Sequence, residues 1–446
     1  MTEKTITEFL SNEYKEFSLY VIENRAIPSV IDGLKPSQRK IIHICNQIWK
    51  TGSEKPLKVF QLSGAVANQA FYHHGDQSLS NAIITMAQKF KNNMPLLDED
   101  GQFGSLRSPE AGAPRYIGTK LNKNFRILYR DFELLDYKEE EGESIEPKYF
   151  LPIIPTVLLN GSSGIAVGFS SNILNRDPLD LVNACESLLK NKKIGKVYPY
   201  TPQFLGDYIQ DTDNPKRWII RGKLNIQNTS TVKVSELPPS MTYEKYESIL
   251  DDLVEKKIIT SYDDNSKDKV DYTIKFSRDT LAKYDEEKLL KLLKLEEYET
   301  EIYSTLDEHG KLKIFETVED IVGYFVAFRL SFYHKRKEYL LNKMKHDLKI
   351  LSNRGRFIKG ILDGKLEVKN STKDKIISDI EAFGLEKIDG DYDYLLRMPL
   401  WSLTKEMFEK LKLDFKNKKE EIEKLNVVEP RDMYLDDLQE LRKKIK

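Results

Sequence analysis

The pair Arg115-Tyr116 is the place in this sequence where a possible nucleophile meets a cation in a basic setting. A phenol has an ordinary pKa of about 10 and attacks a phosphodiester only as it loses its proton. Nearby cations lower that cost and stabilise the charge that gathers on phosphoryl oxygens during transfer. A guanidinium also forks onto two phosphate oxygens at once. Residues 115–130 supply such a setting, with Arg115, Lys120, Lys123, Arg126 and Arg130 and no acid among them. The chain has 23 tyrosines, so residue type alone does not single out Tyr116, and a basic run reads equally well as a solvated face.

A second basic group surrounds residues 25–58: Arg25, Lys35, Arg39, Lys40, Lys50, Lys55 and Lys58. Cations grouped this way suit phosphate contacts, which supply affinity and salt sensitivity. The string Tyr72-His73-His74-Gly75-Asp76 brings together two of the six histidines. They read as phosphate contacts or acid–base groups, as metal ligands, or as structural residues. No further His or Cys lies nearby in sequence to complete a metal set. Asp389-Gly390-Asp391-Tyr392-Asp393 lacks the twelve-residue calcium pattern and reads as a turn. There is no Walker-type nucleotide loop and no acidic constellation suited to magnesium.

Holding these residues in place takes several structural units, and 446 residues are enough for two to four. Basic and acidic residues nearly balance, 70 against 71, for a net charge of −1. That excludes a uniformly basic DNA-coating protein but not a local basic groove. Cys45 and Cys185 fit neither a zinc pattern nor a disulfide framework, which points to a reducing cytoplasm. Residues 1–8 are polar and charged, unlike a signal peptide. The most apolar stretch, 150–169, is broken by Pro152, Pro155, Asn160 and the polar or glycine residues 161–164. A bilayer demands about 20 mostly apolar residues without such breaks, so this stretch reads as buried strand and turn.

The spacing predicts a helix over 36–50, opened by Pro36 and apolar at Ile41, Cys45 and Ile48. A second helix is expected over 78–90, with Leu79, Ile83, Met86, Ala87 and Phe90 on one face. Asn81, Thr85 and Lys89 fall opposite. Such a pair is compatible with a helix-turn-helix or winged-helix module, and many enzymes contain one. From 150 to 312 strand-like pieces dominate, at 218–221, 231–234 and 271–276, giving an α/β middle. From 317 the pattern changes: Ile321, Phe325, Phe328 and Phe332 are spaced 4, 3, 4, and no proline falls before 362. A helix of that length spans nearly 70 Å and reads as a coiled-coil arm. A second long helical pattern covers 405–446, broken near Pro430. The expected fold is a multidomain α/β chain with a long helical hairpin around a small compact region.

An ordered set of strings in this chain resembles type IIA DNA topoisomerases, in their breakage-reunion half. The strings are Asn24-Arg25-Ala26-Ile27-Pro28, Asp32-Gly33-Leu34-Lys35-Pro36, Tyr72-His73-His74-Gly75, Gly101-Gln102-Phe103-Gly104, Pro114-Arg115-Tyr116-Ile117, Leu151-Pro152-Ile153-Ile154-Pro155 and Asn160-Gly161-Ser162-Ser163-Gly164-Ile165. Ser235-Glu236-Leu237-Pro238, the string from Tyr333 to Glu338, Leu351-Ser352-Asn353 and the string from Tyr394 to Thr404 are similar to the eukaryotic enzymes. The short separate chain is similar to the medium subunit of T-even-type phage topoisomerases. The resemblance covers nearly the whole chain; any one string is weak, but the ordered set is specific.

The resemblance implies an N-terminal arm (1–24), a winged-helix domain (25–149), an α/β tower (150–312) and an outgoing coiled-coil helix (313–366). A small helical dimerisation gate (367–404) and a return helix (405–446) would complete the antiparallel arm. It implies that Tyr116 is the nucleophile, forming a 5′-phosphotyrosyl link, and that Arg115 stabilises the phosphate beside it. Arg25, Lys35, Arg39, His73 and His74 correspond to residues near the scissile DNA, and Ile165 to an intercalating wedge that bends the duplex. Lys120, Lys123 and Arg126 extend the expected DNA surface. No metal site is expected in this chain. Mg²⁺ and ATP would be held by a separate ATPase–Toprim subunit, with a homodimer of this chain acting on double-stranded DNA, away from membranes and in the cytoplasm of a host cell if phage-encoded.

This sequence departs from the A-type chains of bacterial gyrases in having no proline between His73 and His74 and in carrying Gln77 and Asn81 at the quinolone-site positions. Quinolone sensitivity is therefore not expected, and neither is gyrase-like supercoiling, because no DNA-wrapping domain follows Lys446. Two other readings stand beside this one: a piece of a fused eukaryotic-like enzyme, and a noncatalytic DNA-clamping scaffold.

Overall fold

The computed structural model describes residues 6, 10–50, 55–72, 75–140, 142–267, 269–368 and 371–445. They form two compact units, Met1–Arg329 with Asp437–Lys446, and Leu330–Asp436.

The first unit opens with helix α1 (Lys15–Val21), flanked by wider helical turns at Leu10–Tyr14 and Ile22–Ala26. Helix α2 (Pro36–Ile48) starts at a proline, whose missing N–H is no loss at that position. The Lys35 N–H just before it donates to the Gln38 side chain at 2.9 Å. Ile41, Ile42, Ile44 and Cys45 are fully buried along its inner face. Strand β1 (Leu57–Lys58) leads into helix α3 (Val59–Gln69), and α4 (Asp76–Ala87) follows. The three helices α2, α3 and α4 pack on one another pairwise.

The sequence reading foresaw two helices here, and α3 is the addition. Its apolar positions Val59, Leu62 and Val66 do repeat at helical spacing and are buried. Gly64 and two valines in its eleven residues weaken its intrinsic helix preference, so packing is what holds it. Helix α4 also ends at Ala87 rather than 90. Its expected faces are as read: Leu79, Ile83, Met86 and Ala87 are buried, while Asn81 and Thr85 are exposed.

Strand β2 (Gly118–Thr119) pairs antiparallel with β1, Lys58 opposite Gly118 and Leu57 opposite Thr119. Helix α5 (Lys123–Leu128) and strand β3 (Tyr129–Arg130) follow. An acidic hairpin comes next, of β4 (Tyr137–Glu140) and β5 (Glu143–Pro147). Strand β6 (Leu151–Pro152) pairs with β3. The apolar stretch after residue 150 is buried only in part. Thr156–Leu159 form one buried helical turn, α6, rather than strand. The chain then emerges as a hairpin of β7 (Ser162–Ile165) and β8 (Ser170–Ile173), with Ile165 86% exposed.

Helix α7 (Pro178–Leu189) leads to two antiparallel sheets. One has the order β15-β10-β9, with β9 Asp207–Gln210, β10 Arg217–Arg221 and β15 Glu296–Thr300. The other has the order β11-β12-β14-β13, from Lys223–Asn228, Thr231–Glu236, Tyr272–Lys275 and Ser261–Asp264. Alternate residues Val232, Val234, Tyr272 and Ile274 turn one sheet face inward. They meet Tyr246, Leu250 and Leu253 of α8 (Tyr243–Glu255) in a single core. The sheets are anchored by a fully buried pair, Arg176–Glu301, at 2.7 Å. The same carboxylate accepts from the Trp218 indole and the Tyr303 hydroxyl, each at 2.8 Å, so its lone pairs are met inside the core. The chain returns to the N-terminal part through main-chain bonds between Leu306 and Pro28 and between Val30 and Leu306.

Helix α9 (Val318–Leu362) runs for 45 residues, about 68 Å at 1.5 Å per residue, and passes from the first unit into the second. Within the second unit, α9 pairs antiparallel with the segment formed by α12 (Lys405–Val427) and the start of α13 (Pro430–Ile445). The Tyr333 ring stacks on Tyr434 with centroids 4.5 Å apart, and Lys337 Nζ donates to the Asn426 carbonyl at 2.9 Å. Between these helices α10 (Lys373–Ala382) and α11 (Asp393–Leu396) enclose a small core of Phe357, Leu366, Ile380, Leu385, Tyr392 and Leu395.

Candidate active site and nucleic-acid interface

Tyr116 sits on a tight turn, its N–H bonded to the Ala113 carbonyl at 2.9 Å. Its neighbour Ile117 is 2% exposed, whereas Tyr116 is 71% exposed. One residue therefore anchors the turn while the next projects a phenol into solvent. The turn is held on one side by residues 58–60. Lys58 Nζ donates to the Tyr116 carbonyl at 2.8 Å. The amides of Val59 and Phe60, in the first turn of α3, donate to the carbonyls of Ile117 at 3.1 Å and Pro114 at 3.2 Å. On the other side Gly118 and Asp100 exchange two main-chain bonds, at 2.7 and 3.0 Å, and Gly112 N–H donates to Gln102 at 2.9 Å. The Gly101-Gln102-Phe103-Gly104 string thus packs beneath the tyrosine turn, with Phe103 in the core. Arg115 is exposed, and among the described residues no ion pair or hydrogen bond holds its side chain.

The second basic group is organised by Asp32, which is fully buried. One carboxylate oxygen accepts from Leu34 N–H at 3.1 Å and Arg39 Nη2 at 2.9 Å. The other accepts from Arg39 Nε at 2.6 Å and Phe150 N–H at 3.0 Å. Its main-chain carbonyl accepts from the Tyr129 hydroxyl at 3.1 Å and the Thr156 hydroxyl at 2.6 Å. Gly33 next to it has φ +68, and a Cβ there would lie 2.5 Å from Val157 N, so the turn requires glycine. Arg39 is 4% exposed and spends its guanidinium on Asp32 and the Leu34 carbonyl. Burial alone would disfavour its charge, but Asp32 more than offsets this and holds its pKa above the ordinary value. Its Nε and Nη2 are committed to Asp32 and the Leu34 carbonyl, which fixes where the guanidinium lies at the start of α2.

Lys35 is half-buried, and burial lowers its pKa. Its ammonium donates to the Ser163 carbonyl at 2.7 Å, leaving two of three donors for another partner. This bond ties the start of α2 to the β7–β8 hairpin that carries Ile165. Gly164 closes the join, since a Cβ there would collide with the Ala26 carbonyl. Arg25 is exposed at the end of the preceding helical turn. The structure thus brings Arg25, Lys35 and the Ile165 hairpin together.

Along the other basic run, Lys123 is exposed at the first position of α5, after an Asn122 cap that accepts Asn124 N–H at 2.8 Å. Lys120 lies 3.9 Å from Asp98, a loose and partly exposed pair. Arg126 has its Nη2 committed to the carbonyls of Trp49 and Lys50, both at 3.0 Å, which caps the C-terminal end of α2. His73 and His74 lie outside the described residues.

Among the described residues no group of three or more His, Cys, Asp or Glu could hold a metal ion. No helix of the described residues is long and apolar enough to cross a membrane.

Sequence reading missed Asp32 as the hub and treated Lys58 only as one more cation. The pairing of Lys58 with Gly118 spans 60 positions and leaves no local signal, whereas the Asp-Gly dipeptide at 32–33 is a turn signal that could have drawn attention to Asp32.

A family model that describes the A-type subunit of DNA gyrase/topoisomerase IV matches residues 25–440. The mitochondrial DNA topoisomerase 2 of Dictyostelium discoideum is 35% identical over 99% of this chain and 35% of its own length. The chain therefore spans about a third of the length of that relative. The DNA topoisomerase medium subunit of Enterobacteria phage T4 is 31% identical over 99% of this chain and 100% of its own. Among solved structures, the DNA-binding, cleavage and re-ligation domain of Plasmodium falciparum topoisomerase II superposes with a TM-score of 0.86 at 33% identity. It covers 98% of this chain and 64% of that one. This chain belongs to the family of DNA gyrase/topoisomerase IV A-type subunits.

Proposed function

We propose that this chain is the DNA-cleaving and religating subunit of an ATP-dependent type IIA topoisomerase. The observation that carries the reading is Tyr116, 71% exposed on a turn pinned by Lys58 and the start of α3, with the exposed Arg115 beside it. In the proposed step the phenolic oxygen attacks phosphorus and forms a P–O bond. The bond from phosphorus to the 3′ oxygen breaks, and that oxygen takes up the proton the phenol gives away. The 5′ phosphate stays on Tyr116, and the 3′ hydroxyl reverses the exchange to reseal the strand. Arg115 would meet the phosphoryl oxygens as charge builds there. Arg25, the two free donors of Lys35, Lys120 and Lys123 would follow the backbone on either side, and His73 and His74 are assigned to the same surface. Arg39 and Arg126, fixed by their bonds to Asp32 and to the end of α2, are assigned to the same DNA surface. Ile165, held out on its hairpin, would enter the base stack and bend the duplex.

The same reading assigns 25–149 to a winged-helix domain, 150–312 to a tower, 313–366 and 405–446 to the two coiled-coil strands and 367–404 to a dimer gate, where Trp401 is 67% exposed. Two copies would cut opposite strands of one duplex and let another pass. Magnesium and ATP would come with a separate ATPase–Toprim chain, as the medium-subunit relative favours. The test is a denaturing gel after mixing chain, partner, Mg²⁺ and supercoiled DNA. A covalent protein–DNA adduct lost in Tyr116→Phe supports the reading. Binding and clamping of DNA with no adduct under any condition makes the chain a scaffold instead.

A further inference from the structure

We infer that Lys58 is a positioning residue for the Tyr116 reaction: its side chain holds the nucleophile's own main chain in the orientation that aims the phenol. The inference rests on the cleavage reading above. Three consecutive residues, Lys58, Val59 and Phe60, bind the carbonyls of Tyr116, Ile117 and Pro114. The last two bonds are main-chain amides at the start of a helix and are fixed by the fold. The first is made by a side chain, and it is the one that acts on residue 116 itself. The Lys58 backbone is in turn fixed by its pairing with Gly118 and by its N–H bond to Gln61 Oε1 at 3.1 Å.

Stability does not explain this bond. Lys58 is exposed and so is Tyr116, and the turn already has a buried anchor in Ile117. An exposed hydrogen bond competes with water and adds little to folding. What it restricts is rotation of the peptide plane that follows the Tyr116 Cα. Without it Tyr116 keeps its own N–H bond to the Ala113 carbonyl and the amide bonds of its neighbours, but its carbonyl is no longer tethered. A misplacement of about 1 Å in a reacting atom is worth roughly 10²-fold in rate, so a weak bond here matters for chemistry and not for the fold.

The experiment is the single-turnover rate of covalent adduct formation by the chain assembled with its ATPase–Toprim partner, at saturating DNA. Lys58→Met, Lys58→Arg, Tyr116→Phe and the parent are compared. Lys58→Met is expected to slow cleavage roughly 10- to 100-fold with DNA affinity, its salt slope and the melting midpoint unchanged. Lys58→Arg, which restores a charged donor, recovers most of the rate. A Lys58→Met chain that cleaves at the parental rate overturns the inference. So does a loss confined to affinity, with a shallower salt slope and full cleavage at saturation, because Lys58 is then a phosphate contact. A loss of rate in Lys58→Met accompanied by a lowered melting midpoint makes the bond structural and overturns it as well. An adduct that persists in Tyr116→Phe fails the cleavage reading itself, whatever Lys58 does.

Discussion

Asp32→Ala is a substitution with a large consequence that leaves the exposed side chains around Tyr116 untouched. It removes four hydrogen bonds at once, from Arg39 Nε and Nη2, Leu34 N–H and Phe150 N–H, and leaves Nη2 only its bond to the Leu34 carbonyl. Arg39 would remain a cation at 4% exposure with no counter-ion of its own. Breaking a buried pair from one side costs about 3–5 kcal/mol, and the two stranded amides push toward the top of that range. The cost falls on the loop between Arg25 and α2, which sets Lys35 against the Ile165 hairpin. The assay is a urea titration followed by tryptophan fluorescence, with Trp49 as the reporter at the end of α2. With a slope of about 3 kcal/mol per M, the midpoint should fall by roughly 1–1.7 M. Adding Arg39→Met should recover part of the loss, because the stranded charge is then gone. The coupling energy of the pair should reach about 3 kcal/mol. A shift under about 0.3 M, or a double mutant whose cost is the sum of the two singles, would show that the hub does not hold the loop.

Other expectations follow from the same contacts. Glu146 is almost wholly inside; burial pushes its carboxyl up, but Lys138 at 3.3 Å and Lys40 at 3.0 Å outweigh that and hold it below the ordinary range. Its stabilising contribution is therefore complete above the unfolded value of about 4.3 and is lost as pH falls through the lower folded value. Glu146→Gln should lower the melting midpoint at pH 7 and narrow the difference from the parent at pH 3; equal differences at both pH values would contradict this. Ile165→Ala should leave stability within about 0.5 kcal/mol, since the side chain is solvated, and should abolish DNA bending read by energy transfer between labelled duplex ends. Unchanged bending would remove Ile165 as the wedge. Lys123→Ala should reduce the slope of log affinity against log salt by about 0.9. Arg126→Ala should mainly lower the melting midpoint, because its donors serve the end of α2; a Lys123 variant with an unchanged slope would take that residue off the DNA path.

The long helix was fully legible: the 4, 3, 4 spacing from Ile321 to Phe332 and the absence of proline gave a helix over 317–362, and the helix found is Val318–Leu362. Strands at 217–221, 231–236 and 272–275 also lie where alternation placed them. Legibility failed where identity depends on distant contacts. Arg39 looks like any surface cation in sequence, and only the closure of Asp32, Tyr129, Phe150 and Thr156 around it makes it internal. Arg126 meets α2 across 76 or 77 positions, and Lys58 meets Tyr116 across 58. The apolar run at 150–169 misled because only its first half is buried; the second half keeps Ile165 and Phe169 exposed on a hairpin. Local pattern therefore singled out a tyrosine and its cations as candidates but not which of the cations are tied to distant parts of the chain.

The most direct measurement is the mass of the peptide that carries DNA after cleavage is trapped with detergent and both polymers are digested. Trypsin should release residues 116–120, cut after Arg115 and Lys120, bearing a nucleotide 5′-phosphate on the Tyr116 oxygen. Nucleotide mass on any other peptide, or none in a reaction that still breaks and reseals DNA, would contradict the account.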